Sequence, residues 1–166
     1  NSYLFKGTVE ENLRMAKPDA TEEEMNAVLK KVNLFGFLQT QDGLQTKLLE
    51  KAGNLSGGQC QRLVIARALL KPEGTIFIFD EATSNIDVES ENKIMEVIME
   101  LAKEKTVILI SHRLANVINA DQVLVMREGV IEECGTHVSL MEKQGYYREL
   151  FCAQKELEEY AKEICR

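Results

Sequence analysis

Two stretches and one histidine in this chain have residue types and spacing suited to phosphate chemistry. Leu55-Ser56-Gly57-Gly58-Gln59 heads an apolar run from Gln61 to Leu70. Ser56 is placed to cap a helix, and Gln59, three residues on, to reach back to it in a capping box. Gly57 and Gly58 have no Cβ to shield the first-turn N–H groups. Bare N–H groups at the positive end of a helix dipole bind anions, phosphate above all. Alone, the same letters describe a well-capped core helix equally well. The second stretch is Asp80-Glu81, directly after Thr75-Ile76-Phe77-Ile78-Phe79. Two adjacent carboxylates at a strand end are costly unless they hold a cation or move protons. Asp80, continuing the strand, is the better Mg²⁺ ligand, and Glu81 the better group to orient or deprotonate water. A single Asp would read as a turn acid. His112 follows the apolar run Thr106 to Ile110 by two residues. If both runs are parallel strands, His112 shares an edge with Asp80 and Glu81, in reach of a phosphate oxygen or a water. Alone it would be a solvated loop histidine.

Other candidates are weaker. Ser84-Asn85-Ile86-Asp87 is by itself a turn with an Asp cap. His137, beside a Thr136 cap, is expected at the surface. Cys60 sits in a first helical turn, where a thiol pKa can fall, but is assigned to packing.

The elements that must position these groups follow from periodicity. Thr8 with Glu11, and Thr21 with Glu24, repeat the capping-box signature. Met25, Val28, Leu29 and Val32 predict an amphipathic helix over 22–32. Leu34 to Leu38 adds one turn, and residues 39–54 read as loop. The first third shows no strand signal. Beyond Pro72 and Gly74, the runs ending at Phe79 and Ile110 read as strands buried on both faces. Ile94, Val97, Ile98 and Leu101 mark a helix between them, so the unit is βαβ and its strands parallel. Residues 113–119 are predicted helical, and Val123–Met126 and Val130–Cys134 form strands around a turn at Glu128-Gly129. Residues 145–165 are mostly helical, with Leu150, Leu157, Ala161 and Ile164 as an apolar stripe.

Bulk properties exclude several classes. The 166 residues suit one domain with a real core, and 45% hydrophobic with 28% charged residues reads as soluble and globular. A net charge of −7 argues against a nucleic-acid surface. The four cysteines are scattered and form no CxxC, which favours a reduced setting without a zinc site. No apolar run approaches membrane-spanning length, and there is no signal peptide.

Taken together, these motifs resemble the nucleotide-binding domain of an ATP-binding-cassette (ABC) transporter. Leu55 to Gln59 matches the family's signature motif, and Ile76 to Glu81 its Walker B strand with the catalytic Glu. Ser84 to Asp87 resembles the D-loop, and Ser111-His112-Arg113 the switch-histidine loop. Tyr3 to Thr8 with Glu11-Asn12 resembles the stretch after the Q-loop in the exporter branch, Glu50 its X-loop acid, and Gly135-Thr136-His137 through Gly145-Tyr146-Tyr147 its C-terminal part. The resemblance implies an α/β P-loop NTPase (ABC ATPase) fold in truncated form: a helical subdomain over 1–54, then over 55–166 the signature helix, Walker B and part of a RecA-like parallel sheet with C-terminal helices.

It also implies roles. Leu55, Ser56, Gly57, Gly58 and Gln59 form the signature that meets the γ-phosphate of ATP on a partner domain. Asp80 holds Mg²⁺, Glu81 is the general base, His112 senses the γ-phosphate, and Asp87 connects two sites across a dimer. The implied partners are a second nucleotide-binding domain, as homodimer or heterodimer, and a transmembrane domain, with the ATPase at the cytoplasmic face of the membrane and no nucleic acid. The chain departs from the pattern in three ways. It has no Walker A motif and no Gly-Lys dipeptide, no aromatic residue to stack on adenine, and Ala52 where exporters often have Gly. The expectation is therefore a C-terminal fragment of a larger exporter ATPase, inactive alone, whose sheet lacks a middle strand and whose open edge drives self-association. A soluble ABC ATPase without a transport role, and a nucleotide-free interaction module, are the competing readings.

Overall fold

Among the described residues four capping boxes punctuate the chain, each joining a Thr or Ser to the residue three positions on. The computed structural model describes residues 3–71, 74–82 and 86–164, without the side chains of 161–164. Ser84 and Asn85 of the expected D-loop, Pro72, and the Ala161 and Ile164 side chains of the expected stripe lie outside that description. The described residues form two compact units, 1–110 and 111–166.

The first unit begins with β1 (Gly7–Thr8), α1 (Val9–Arg14), α2 (Glu22–Lys31) and α3 (Phe35–Gln39). β2 (Lys47–Leu48) pairs antiparallel with β1, Gly7 opposite Leu48 and Thr8 opposite Lys47. This corrects the expectation of a strand-free first third. Two-residue strands have no periodicity to read, and this pair is secured by long-range bonds such as Val9 N–H to Thr46 O at 3.1 Å. Residues 39–54, expected as loop, also contain 3₁₀ turns at Gly43–Gln45 and Glu50–Ala52. α4 (Gly57–Leu69) packs on α1 and α2 and, on another side, on α5 (Val88–Ala102). Leu13, Met25, Leu29, Leu63, Ile94 and Ile98 are among its fully buried core residues.

β3 (Ile76–Asp80) and β4 (Thr106–Ile110) pair in parallel, Ile76 opposite Thr106 through Asp80 opposite Ile110. The βαβ reading is thus correct, whereas burial on both faces is not. Phe79 is buried and Phe77 and Leu109 pack against the core, but Ile76, Ile78, Ile108 and Ile110 are 60%, 65%, 48% and 50% exposed. Helices cover one face of this sheet, and the alternation of side chains along a strand leaves the other four isoleucines outside.

In the second unit, a 3₁₀ turn at Leu114–Val117 replaces the expected helix over 113–119. β5 (Val123–Arg127) and β6 (Val130–Gly135) form an antiparallel hairpin with a register shift between Val125 and Met126. Its turn residues Glu128 and Gly129 have φ of +50° and +83°, as a tight hairpin requires. Among the described residues β5 pairs only with β6. α6 (His137–Lys143) and α7 (Tyr146–Ile164) follow, with Val123, Val125, Leu140 and Tyr147 as core. His137, expected at the surface, is half-buried: Nδ1 lies 2.8 Å from the Tyr147 hydroxyl and its ring 4.9 Å from that of Phe151.

Candidate functional site

The N-terminus of α4 is built as its letters predict. Ser56 Oγ accepts from Gln59 N–H at 3.2 Å, and Gln59 Oε1 accepts from Ser56 N–H at 2.9 Å. Cys60 N–H donates to Ser56 O. The first turn contains no acid, unlike those of α1, α2 and α5. Ser56 and Gly57 are exposed, while Gly58 is buried against the first turn of α5. A Cβ on Gly58 would stand 2.5 Å from both Cβ and Oγ of Ser90. Gly57 therefore keeps the turn open and Gly58 lets two helix starts touch. A phosphate oxygen fits an end of this kind, where glycine lets an anion approach the backbone.

Asp87 caps α5, its Oδ1 accepting from Ser90 N–H at 2.8 Å. That backbone donor, then the Ser90 hydroxyl, holds the Asp87 carboxyl below its ordinary range. The structure therefore brings the signature stretch and Asp87 together through the contact of Gly58 with Ser90. Arg62, which the apolar reading of 61–70 passed over, fastens the same region. Its guanidinium donates from Nε to Gly58 O at 3.2 Å and from Nη1 to Asn33 O at 2.9 Å, tying the first turn of α4 to the end of α2. Burial lowers its pKa, and Asp87 and Glu89 oppose that effect. Its sequence signal was an Arg inside an apolar helix run that holds one other, Arg67. Cys60 does pack: its Sγ lies 3.7 Å from Ala52 O, and burial pushes the thiol pKa up.

Asp80 ends β3 and Glu81 follows it directly, and both are exposed. Glu81 N–H donates to Ile110 O at 3.0 Å, which places the end of β4 beside the acid pair. Glu81 has φ of +47°, a left-handed conformation uncommon for a side chain with a Cβ and concentrated at functional positions. No group of three or more His, Cys, Asp or Glu residues suited to a metal occurs among the described residues. The Asp80 and Glu81 carboxylates are nonetheless of the kind that suits Mg²⁺, which commonly takes one or two carboxylates and completes its shell with water and phosphate oxygens.

His112 opens the second unit and is exposed. Its backbone is closely held. His112 O accepts from Gln154 Nε2 at 3.0 Å, Leu114 N–H donates to Gln154 Oε1 at 2.7 Å, and Arg113 N–H donates to Ser111 Oγ at 3.0 Å. Nothing in the sequence pointed to Gln154, which lies 40 and 42 residues from its partners.

Comparison with known proteins identifies the family. The family model described as ABC transporter matches residues 1–84. An uncharacterized ABC transporter ATP-binding protein of Haemophilus influenzae is 54% identical over 159 residues, covering 96% of this chain and 28% of the relative. YgaD of Bacillus subtilis (strain 168), a proposed multidrug export ATP-binding/permease protein, is 42% identical over 155 residues, covering 93% of this chain and 27% of its own length. The structure of a bacterial Atm1-family ABC exporter with ATP bound matches with a TM-score of 0.84 at 34% identity, over 92% of this chain and 27% of that one. The chain thus spans little more than a quarter of these relatives, and its architecture is that of a truncated ABC ATPase. It belongs to the ABC transporter family.

Proposed function

We propose that this chain is part of the ATPase of an ABC exporter that couples ATP hydrolysis to transport across a membrane. Residues 1–54 contribute its helical subdomain, and 55–166 the signature helix, Walker B strand and remaining core. The observation that carries the reading is the first turn of α4, uncluttered by acids and bedded on α5 through a glycine with no room for a Cβ. Leu55 to Gln59 present that turn to the γ-phosphate of an ATP held by a second nucleotide-binding domain, in a homodimer or heterodimer. Bound ATP with Mg²⁺ supplies the phosphoanhydride to be cleaved and the charge that neutralises it. Asp80 would be the residue that holds Mg²⁺. Glu81 takes a proton from the attacking water, His112 contacts the γ-phosphate, and Asp87 links the two sites. A transmembrane domain completes the transporter and sets this ATPase at the cytoplasmic face; no helix among the described residues is long and apolar enough to cross a membrane. The 166 residues contain no Walker A sequence, and this reading predicts no ATP hydrolysis by them alone.

The test is Glu81→Gln in the full-length protein. It removes the base and keeps every binding group, so ATP is expected to remain unhydrolysed in a closed dimer. Hydrolysis at the parental rate would refute the role of Glu81.

A further inference from the structure

Gln154 sits on α7, far along the chain from any motif, yet both ends of its amide are spent on the loop that carries His112. The acceptor end, Oε1, takes Leu114 N–H at 2.7 Å, and the donor end, Nε2, reaches His112 O at 3.0 Å. The two partners fix the amide's orientation, since an N–H must face the oxygen and a carbonyl the nitrogen. The grip therefore spans Arg113, holding the backbone on both of its sides. Ser111 Oγ and Asn116 N–H bind the Arg113 backbone from within the loop. α7 itself is anchored one turn earlier, where Phe151 meets the rings of His137 and Tyr147 at 4.9 and 6.1 Å. Tyr147 is fully buried, and its N–H donates to Glu133 Oε2 at 2.7 Å. A continuous set of contacts thus runs from β6 and α6 through α7 to the backbone of His112.

We propose that Gln154 is a positioning residue that sets the placement of His112 by clamping its loop to the C-terminal helix. This rests on the reading of His112 as the group that contacts the γ-phosphate. Gln154 touches no nucleotide; it acts through the histidine's main chain. Loss of the clamp lets the imidazole wander from its working position, and small misplacements of a reacting group lower the rate steeply. The groups that hold the rest of the nucleotide lie outside this loop, so the loss falls on kcat rather than on KM.

The test is a double-mutant cycle in the full-length transporter, with Gln154→Ala and His112→Ala alone and combined. Gln154→Ala is expected to lower kcat about tenfold with KM for ATP unchanged, and to add less than twofold in the His112→Ala background. An equal loss in both backgrounds, or none in the parent, overturns the clamp. Parental activity in His112→Ala overturns the reading of His112 and the inference with it. A loss in His112→Ala beside an active Gln154→Ala overturns the inference alone. Gln154→Glu serves as a milder second variant, since it keeps the acceptor for Leu114 N–H and removes the donor to His112 O. It is expected to lower kcat with KM unchanged, and parental kcat would overturn the clamp. In the 166-residue chain, Gln154→Ala should also speed hydrogen exchange at the Leu114 amide at least tenfold while leaving Val123 and Val125 as they are. An unchanged Leu114 amide overturns the proposal.

Discussion

Replacing Gly58 with Ala should reverse the usual effect of that substitution on a helix. Ala exceeds Gly by about 1 kcal/mol in helix interiors, so an unobstructed site would gain stability. Here the new Cβ would lie 2.5 Å from Ser90 Cβ and Oγ, while Ser90 Cα at 3.8 Å is an ordinary contact. A rotamer change can move Oγ but not Cβ, which is fixed to the backbone of α5. Carbon atoms rest about 3.5–4.0 Å apart, so the two helix starts must separate by about 1 Å. Overpacking of this kind costs about 1–3 kcal/mol, and after the gain from Ala the net loss should be about 1 kcal/mol. Ser90→Gly removes both clashing atoms. In that background Gly58→Ala should stabilise by about 1 kcal/mol, so the coupling between the sites is about 2 kcal/mol, far above the few tenths expected of independent positions. The chain has no Trp. Urea unfolding is therefore best followed through NMR signals of Leu63 on α4 and Ile94 on α5. Additive effects of the two substitutions, or a Gly58→Ala chain more stable than its parent, would refute the packing argument.

Two further outcomes are expected. The exposed isoleucines 76, 78, 108 and 110 flank a strand edge with no partner among the described residues, and open apolar edges pair with other chains. Light scattering on a dilute, reduced sample should show self-association that Ile78→Lys with Ile108→Lys abolishes, and a stable monomer whose amides at 107–110 resist exchange would contradict this. Calorimetric titration of the 166-residue chain with MgATP should give no micromolar binding, because the Walker A backbone and Lys supply most β- and γ-phosphate contacts; micromolar affinity, or turnover lost in Glu81→Gln, would contradict it.

What was legible in the sequence was local. The boxes at Thr8, Thr21 and Ser56 are read over four residues, and each forms as spelled. The order strand, helix, strand gave parallel pairing directly, and the register sets Asp80 opposite Ile110. What was not legible depends on pairings between distant residues. Asn12 is 1% exposed because its amide closes the Phe5 and Thr8 backbone, accepting from Phe5 N–H and donating to Phe5 O and Thr8 O. Arg62 meets Asn33 across 29 residues, and Gln154 meets Leu114 across 40. The exposed face of β3 and β4 was misread for a related reason. Hydrophobic runs show that a face suits burial, and only the assembled chain shows whether anything covers it.

On the proposed reading of Ser56 to Gln59 as a phosphate-binding end, a local rule of helix stability gives way to function. Acids in the first turn stabilise a helix by about 0.3–1 kcal/mol each, and α1, α2 and α5 use them. α4 forgoes that gain. α3 and α6 also lack an acid there, but Phe35 and Phe37 of α3 and His137, Val138 and Ser139 of α6 put side chains on their first turns. α4 instead begins with two glycines, which cost helix stability for conformational reasons. Its stability comes from elsewhere: the capping box, the Arg62 fork to Gly58 O and Asn33 O, and the apolar packing of Leu63, Ile65 and Ala66. Each support approaches α4 from its sides or its buried face and leaves Ser56 and Gly57 open to solvent. A helix that needed only to fold would gain from an acid among its first residues. An end that must receive a phosphate cannot carry one, since the like charge would repel the ligand, and departures of this kind are expected at functional sites.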